Sequence, residues 1–345
     1  MSGRTRRLSR SNSGYNANTN NDSPDHTELL RRPLYPFLFM GCWNYTSPLE
    51  RKALARNAVL DMIGAHKGDH LLIVAGDNAY PIKGPKNEKG KREKRFIMKD
   101  INEGFRRLEA TGKQLLVGIG NHNADRTPTN GRSILNVERE TFRSALPHPY
   151  FCRLFPSDKT ALVFLDTNIF AEEDSHKLNA LYEDPTYLTT MLEWLRDVVS
   201  YLKRKHYAFY LVQHEPLFSI KSKENQRLNK GTHILDIFHR NRNYPIAILS
   251  ADTHSHQEWD LTYRGHKYRQ VVVGTGGASP NYVRALDDLP FNAKLKEGFE
   301  PFTSVRYKTA DHNRTPSYGY LEIVEPLEHI FHSVGQEGID FRTDE

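Results

Sequence analysis

Short apolar runs alternate with longer amphipathic stretches along this chain. The apolar runs are rich in β-formers and nearly continuous, which is typical of buried parallel strands. They are Pro36–Met40, His70–Ala75, Gln114–Ile119, Ala161–Leu165, Tyr207–Val212, Pro245–Ser250 and Tyr268–Val273. Helical spacing of apolar residues occurs at Leu49–Ile63, Phe96–Ala110, Tyr187–Arg204 and Ile234–Arg240. This alternation predicts an α/β fold.

The two ends of the chain lack this periodicity. Residues 1–33 are polar, with several Ser and Asn residues and four arginines in the first twenty positions, and this composition predicts a disordered basic tail. Such a tail can be inert, or it can be a targeting or nucleic-acid-contacting arm. We expect residues 34–345 to form one domain, although the pattern weakens after Asn281 apart from a closing strand near Tyr318–Val324.

Composition narrows the class of protein. The two cysteines, Cys42 and Cys152, exclude a disulfide framework. No apolar stretch approaches the ~20 residues that a membrane helix needs, and the start of the chain lacks a signal-like apolar segment. We therefore expect a soluble intracellular protein without membrane insertion, and the oligomeric state stays open.

The net charge of +6 is unevenly distributed. The segment 82–99 holds eight Lys or Arg and two Glu, so its local excess is also +6. We expect either a solvated flexible loop or an electropositive lid that concentrates an anionic substrate, and nucleic-acid binding is a further option.

Four polar clusters directly follow apolar runs. They are Gly76–Tyr80 (GDNAY), Gly120–Asn123 (GNHN), Gln213–Pro216 (QHEP) and Ala251–His256 (ADTHSH). Carboxyl ends of strands in an α/β sheet are where sites form. The clusters offer carboxylate, phenolate, imidazole and amide groups, which suit Lewis-acidic metals. The sequence therefore predicts a metal centre at this edge.

Each cluster has a residue with a candidate role. Two metal ions about 3.5–4 Å apart need a bridging ligand, and Asp77 suits that position. Asn121 can offer its amide oxygen, whereas His214 and His254 can offer imidazoles. His122 is placed to face a phosphate or to protonate a leaving group.

The order of Gly-Asp-Asn, Gly-Asn-His, a lone His and a final x-His strand resembles the calcineurin-like metallophosphoesterases, over Pro36–Gly277. The resemblance implies a four-layer α/β/β/α sandwich. It also implies a dinuclear centre whose bridging hydroxide attacks a phosphoester, which makes the chain a phosphatase, expected to be a phosphomonoesterase. The class of phosphorylated substrate stays open.

Carried over by residue, the resemblance makes Asp77 the bridge between the two metals. It makes Asn121 and His214 ligands of the second metal and His254 a ligand of the first. His122 and Asn44 are expected to contact the substrate phosphate, with His122 and Asp77 as the catalytic residues.

Tyr80 and Gly274–Gly277 refine the resemblance. Gly-Asp-x-x-Tyr is similar to purple acid phosphatases and PhoD-type phosphatases, in which the tyrosine phenolate binds ferric iron. Gly274–Gly277 resembles the glycine-rich strand end that closes their site. The resemblance therefore implies iron at one position, with Zn, Mn, Mg or Ca as the second ion.

Two motifs depart from the usual family pattern. Cys42 stands where the first carboxylate belongs, and it is either a thiolate ligand or a buried structural cysteine. The last motif places Asp252 and His254 as ligands, or His254 and His256 in the other register. We prefer the first register because it keeps the small residue Ala251 at the strand end. These departures leave a catalytically weak regulatory or nucleic-acid-binding protein with the same fold as the alternative.

Overall fold

The computed structural model describes residues 22–45, 50–86, 92–122, 134–171, 184–221, 224–228, 231–278, 302–310 and 317–334. The helices in these ranges are α1 (Glu50–Ala65), α2 (Met98–Ala110), α3 (Ile134–Thr141), α4 (Asn168–Ala171), α5 (Tyr187–Arg204) and α6 (Thr232–Asn241). The strands are β1 (Thr27–Leu29), β2 (Phe37–Met40), β3 (Leu71–Ala75), β4 (Ile82–Lys86), β5 (Arg92–Arg95), β6 (Gln114–Gly118), β7 (Phe151–Phe155), β8 (Thr160–Phe164), β9 (Ala208–Val212), β10 (Phe218–Lys221), β11 (Glu224–Arg227), β12 (Ile248–Ser250), β13 (His256–Tyr263), β14 (His266–Val273), β15 (Ser304–Ala310), β16 (Gly319–Glu325) and β17 (Glu328–Ser333).

Most of these strands belong to two large sheets. The larger sheet has the order β1-β7-β8-β9-β12-β14-β13-β15, and the smaller has the order β17-β16-β2-β3-β6. Strands β8, β9, β12 and β14 run parallel in the first sheet, as do β2, β3 and β6 in the second. The parallel strands of each sheet therefore end along one edge.

The two sheets pack face to face, with helices outside. Phe37 of β2 meets Tyr210 of β9 with ring centroids 5.5 Å apart. Along β9, Tyr210 and Val212 belong to the core between the sheets, whereas Phe209 and Leu211 belong to a second core beneath α5 and α6. Helices α1 and α2 contribute to the first core from the other side. The predicted four-layer α/β/β/α sandwich is confirmed.

Helix α5 spans the residues that the sequence predicts. Its buried residues include Met191, Leu195, Val198 and Leu202, which follow one another at helical spacing and face the larger sheet. Burying a side chain of this size stabilises the fold by roughly 1.5–3 kcal/mol. No helix among the described residues combines the length and apolarity needed to cross a bilayer.

The prediction that residues 1–33 form a disordered tail is wrong for the last part of that range, which contains strand β1. Strand β1 pairs in parallel with β7, and the Cys152 amide donates to the His26 carbonyl at 3.0 Å. The Trp194 indole donates to the Asp25 carbonyl at 2.7 Å, and Arg153 pairs with Glu28 at 2.9 Å. These contacts join residues distant in sequence, so no local pattern reveals them. Residues 1–21 lie outside the described residues.

The basic segment 82–99 contains a hairpin where the sequence predicts a loop. Strands β4 and β5 pair antiparallel, with Ile82 opposite Arg95 and Lys83 opposite Lys94. The expected lid and nucleic-acid contacts depend on the side chains of 82–95, and the structure describes no more than the backbone of this segment.

Candidate metal centre

The predicted site residues converge at one end of the sandwich. Each follows a parallel strand, so the turns after both sheets meet there. From the smaller sheet come Cys42 after β2, Asp77 and Tyr80 after β3, and Asn121 and His122 after β6; from the larger come His214 after β9 and Asp252 and His254 after β12.

Cys42, Asp77 and His214 form the buried middle of this group. The Cys42 Sγ lies 4.0 Å from Asp77 Oδ2, and His214 Nε2 lies 3.3 Å from Asp77 Oδ1. One ligand atom from each residue lies within 4.8 Å of the other two. A carboxylate between a thiol and an imidazole offers a donor set that transition metals accept.

The orientation of His214 fits a cation. Its Nδ1 lies 2.7 Å from the Ala75 carbonyl, which can only accept, so Nδ1 carries the hydrogen. Nε2 then faces the carboxylates of Asp77 and Asp252, with the Asp252 Oδ1 at 3.8 Å. Nε2 has no hydrogen-bond partner among the described residues. A lone pair beside two carboxylates requires a positive charge between them, supplied by a metal ion or a second proton.

The pKa values of this group point the same way. Burial alone raises the pKa of Asp77, but the nearby His214 and His122 outweigh it and hold that pKa well below its ordinary value. Burial alone lowers the pKa of His214, but the Asp77 carboxylate raises it to about 10. Both shifts arise because the Asp77 carboxylate attracts a positive charge at His214 Nε2, which a proton supplies here and a bound cation would supply in its place.

Asn121 and His122 approach the centre from the smaller sheet. The Asn121 amide nitrogen lies 3.4 Å from Asp252 Oδ1, and the His122 backbone N–H donates to Asp77 Oδ1 at 3.1 Å. A Cβ at Gly120 would lie 2.2 Å from the Asp77 nitrogen, so only glycine fits before Asn121. The Gly-Asn-His motif thus brings its backbone against the carboxylate of the preceding motif.

Tyr80 closes one side of the centre. Its hydroxyl lies 3.4 Å from His254 Nε2, and its ring centroid lies 4.7 Å from that of His122. Burial raises the pKa of Tyr80 well above its ordinary value, and Asp77 and Cys42 raise it further. A phenolate forms here only beside a strong cation.

Three of the strand-end residues have left-handed backbones. Cys42, Asp77 and Asp252 have φ angles of 54°, 54° and 51°. Non-glycine residues in such conformations cost on the order of 1–3 kcal/mol each and cluster at functional sites. The fold holds these side chains at a cost in stability.

Glycines let the two sheets meet beneath the centre. A Cβ at Gly41 would lie only 2.4 Å from the Ala251 Cβ. The Gly41 amide donates to the Val273 carbonyl at 3.0 Å, and the Gly276 amide donates to the Gly41 carbonyl at 3.1 Å. Gly276 belongs to the predicted Gly274–Gly277 strand end, which therefore lies under this edge.

His256 lies outside the centre. It is the first residue of β13, its Nε2 lies 3.6 Å from Glu258 Oε1, and its ring stacks on Phe331 at 4.4 Å. The structure therefore brings Asp252 and His254 to the edge and turns the alternative ligand His256 away.

The prediction that Asn44 contacts substrate is corrected. Its side chain is fully buried, and its amide nitrogen donates to the carbonyls of Asn78 and Ile101 at 2.9 and 3.2 Å. Its amide oxygen accepts from Arg56 at 3.0 Å. Asn44 therefore anchors the turn after β2 to α1, to α2 and to the turn after β3, and both polar atoms of its side chain have partners there.

Asn78 supports the centre and was not among the predicted site residues. Its amide oxygen accepts from the Trp43 indole at 3.0 Å, and its amide nitrogen donates to the Gly118 carbonyl at 3.0 Å. It thereby fixes the turns that present Cys42 and Asp77. Its place inside Gly-Asp-Asn is the signal that could have revealed it.

Glu215 and Thr167 form a second support that the sequence leaves unassigned. The Thr167 hydroxyl donates to the Glu215 carboxylate, beside His214. Burial raises the pKa of Glu215 to about 7, and Asp252 contributes to the rise. Thr167 lies in the polar triplet after β8, where Asp166 accepts from the Tyr187 hydroxyl at 3.0 Å.

No protein-family profile matches the chain, and no curated protein sequence matches it. Solved structures do match. PhoD is 11% identical with a TM-score of 0.52, over 85% of this chain and 64% of that chain. The purple acid phosphatase PPD1 of yellow lupin (Lupinus luteus) is 11% identical with a TM-score of 0.50, over 89% of this chain and 52% of that chain.

This chain spans less than two thirds of the length of each of these two phosphatases. At this level of identity the similarity establishes the fold, and the activity must be argued from the site. These structural neighbours show that the chain has the fold of the calcineurin-like metallophosphoesterases, and a group of candidate metal ligands lies at the strand ends.

Proposed function

We propose that this chain is a metal-dependent phosphoester hydrolase with a dinuclear centre. The observation that carries the proposal is the convergence of strand-end ligands from both sheets on the buried Asp77 carboxylate. The proposed ligands are Cys42, Asp77, Tyr80, Asn121, His214, Asp252 and His254. Asp77 would be the ligand shared by the two ions, because one of its carboxylate oxygens faces Cys42 and the other faces His214.

Bound metal ions supply Lewis acidity towards a phosphoryl oxygen and lower the pKa of water. The chain's own residues hold the geometry. His214 is fixed by the Ala75 carbonyl, so its Nε2 keeps one direction. Asn121 meets Asp252 across the two sheets, so the centre requires the sandwich to be assembled.

His122 is the proposed catalytic residue that faces the substrate. Its backbone is fixed on Asp77 while its ring, half-buried beside Tyr80, lies at the rim of the centre. An imidazole there can donate to a phosphoryl oxygen or to the leaving oxygen as it departs. The substrate class is proposed only as a phosphoester, with a phosphomonoester as the first to test.

Iron is the proposed ion at the Tyr80 side of the centre. A buried phenol beside a thiol and a carboxylate suits a highly charged cation, because the phenol and the thiol both lose their protons more easily on binding one. We expect a visible charge-transfer band that Tyr80→Phe abolishes. Tyr45→Phe is the matched control, because Tyr45 packs on the Tyr80 ring at 5.2 Å and is not a proposed ligand. A band that survives Tyr80→Phe would refute the iron assignment.

The hydrolase proposal is tested by elemental analysis with a substrate screen. Aryl phosphomonoesters, diesters and nucleotides are offered to wild type, to His122→Ala and to His233→Ala, an exposed histidine of α6 that serves as control. We expect His122→Ala to lower kcat by about 100-fold or more, as loss of a transition-state donor does. Metal-loaded protein that is inert on all three classes would contradict the proposal, and metal-free protein would contradict the centre itself.

The alternative is a catalytically weak, nucleic-acid-binding or regulatory protein. Its support is the charge excess of segment 82–99 together with Cys42 in the first motif. Nucleic-acid binding with a steep salt dependence and no hydrolysis by metal-loaded protein would favour it.

A further inference from the structure

A second group of ligand-type side chains lies at the other end of β3. His66 follows α1, His70 immediately precedes β3, Glu322 lies on β16 and His332 lies on β17. We call these four residues the distal cluster. The carboxyl end of β3 carries Asp77, so the distal cluster and the candidate metal centre lie at opposite ends of one strand.

The distal cluster is arranged around the Glu322 carboxylate. His66 Nε2 lies 3.3 Å from Oε1, and His332 Nε2 lies 2.8 Å from Oε2. His70 Nε2 lies 3.9 Å from Oε1. One ligand atom from each of His66, Glu322 and His332 lies within 4.8 Å of the other two. Small shifts of these side chains would bring four donors around one ion.

The donor set suits zinc or a similar divalent transition metal. Three imidazoles and a carboxylate match the ligands and the number that tetrahedral zinc takes. Among the described residues, the ion-pair partners of Glu322 are all imidazoles. Within the described ranges, no arginine or lysine pairs with the Glu322 carboxylate. Its negative charge is therefore left for a bound cation to neutralise.

A hydrogen bond outside the ligand set orients His66. Its Nδ1 lies 2.8 Å from the Tyr320 hydroxyl. When Nδ1–H donates to that hydroxyl, the Nε2 lone pair is directed at the cluster, as in histidines that bind metals. The Tyr320 ring also stacks on His332 at 4.9 Å. Tyr320 thus contacts two of the proposed ligands.

The turn that carries His66 and His70 is fixed in place. Lys113 Nζ donates to the carbonyls of His66 and Gly68 at 2.6 and 2.8 Å, and Arg32 donates to the Asp69 carbonyl. Preformed backbone lowers the entropy that ligands lose on binding an ion.

We propose that His66, His70, Glu322 and His332 bind one divalent transition-metal ion, of which zinc is the best match. The ion would join the end of α1 to the hairpin β16–β17. The eight residues from His70 to Asp77 span about 20 Å in extended backbone, so this ion shares no ligand with the centre proposed for catalysis.

Zinc binding by the full chain tests the proposal in two backgrounds. Chelator-stripped wild type and Asp77→Asn are each titrated with Zn²⁺ alone, with and without His332→Ala. We expect His332→Ala to remove one zinc equivalent per chain in both backgrounds. His329→Ala on the same strand is the control, because its Nε2 faces Glu258. Zinc should also raise the Tm of Asp77→Asn but not that of Asp77→Asn/His332→Ala.

Tyr320→Phe keeps the ring and removes the bond to His66, so it gives a second measurement if His332→Ala fails to fold. We expect zinc affinity at this site to fall about 10- to 100-fold. Unchanged zinc stoichiometry in His332→Ala, or unchanged affinity in Tyr320→Phe, would overturn the proposal. If the metal centre proposed for catalysis were wrong instead, Asp77→Asn would leave the metal content of the protein unchanged. That result is distinct from either outcome at the distal cluster.

Discussion

The candidate metal centre and the distal cluster lie at opposite ends of β3 and are built differently. In the centre, turns after parallel strands present the ligands, and Cys42 and Asp77 have left-handed backbones. In the distal cluster, ordinary positions of a helix end and a hairpin bring Glu322 and His332 to His66. The centre depends on strained turns and on both sheets, whereas the distal cluster depends on the smaller sheet and α1. The two sites should therefore fail independently.

The largest expected effect separates the two sites by activity. Asp77→Asn removes the carboxylate charge between Cys42 and His214, so we expect kcat/KM to fall by at least about 100-fold. Zinc binding at the distal cluster should persist. The measurement is turnover of the best substrate with zinc titration of the same preparation.

Asp61→Asn is the control for that substitution, because Asp61 is an exposed residue of α1 that pairs with Arg107 and is not a proposed ligand. Activity of Asp77→Asn within tenfold of wild type would mean that the bridge lies elsewhere.

A smaller effect tests the dependence of the centre on both sheets. In Gly41→Ala the new Cβ would clash with the Ala251 Cβ at 2.4 Å, and we expect unfolding to become easier by about 1–3 kcal/mol. During unfolding, metal should be lost from the candidate metal centre before it is lost from the distal cluster. Urea unfolding measures the first effect and metal analysis the second.

Gly64→Ala in α1 is the matched control, since its Cβ meets only the Thr111 Cα at 3.7 Å. An alanine there should be neutral or stabilise the helix by up to about 1 kcal/mol. Equal destabilisation by Gly41→Ala and Gly64→Ala would show that the close approach of Gly41 to Ala251 is not what stabilises this part of the fold.

The smallest expected effect concerns Glu258. Like Glu322 it lies beside histidines, but it also pairs with an arginine. Arg269 lies 3.4 Å from Glu258 Oε2, and His329 lies 2.6 Å from Oε1. Burial raises the pKa of Glu258, but the neighbouring His256 and His329 outweigh it and hold that pKa below its ordinary value of 4.5. The resulting stability is present above about pH 4.5 and is lost as the pH falls towards the lowered pKa.

Glu258→Gln should therefore weaken the fold at pH 7 by on the order of 1 kcal/mol and flatten the loss of stability between pH 5 and about pH 3. It should leave zinc stoichiometry unchanged, since Arg269 already supplies the positive charge. Unfolding free energies across that pH range check the first point. An acid dependence identical to wild type would show that Glu258 is not the titrating group.

Hydrophobic periodicity predicts a helix or strand well where burial of one apolar face determines the structure. The helical spacing of Tyr187–Arg204 gives α5 with both ends correct, because one face of that helix packs on the larger sheet. The strand β13 is missed because it buries Gln257 and Glu258 among apolar residues. Gln257 is satisfied by the backbone of Ile220, and no local pattern encodes that partner.

The same distinction applies to the sites. Asp77, His122 and His214 could be predicted because each follows an apolar strand in a short motif. Asn44 also follows an apolar strand in a short polar motif, so the sequence does not distinguish it from these residues. In the fold, however, α1 and α2 cover its side chain. The distal cluster joins residues 66 and 322, and only the pairing of β16 with β2 brings them together.

Strand β1 has a consequence for the behaviour of shortened chains. The three residues of β1 cover the outer edge of β7, so that the polar backbone of β7 does not meet solvent. A chain that begins at Leu34, the boundary that hydrophobic periodicity suggests, would lose this cover. Uncovered strand edges template pairing between molecules. Self-association of such a shortened protein would thus arise from its missing first strand and not from any defect at the metal sites.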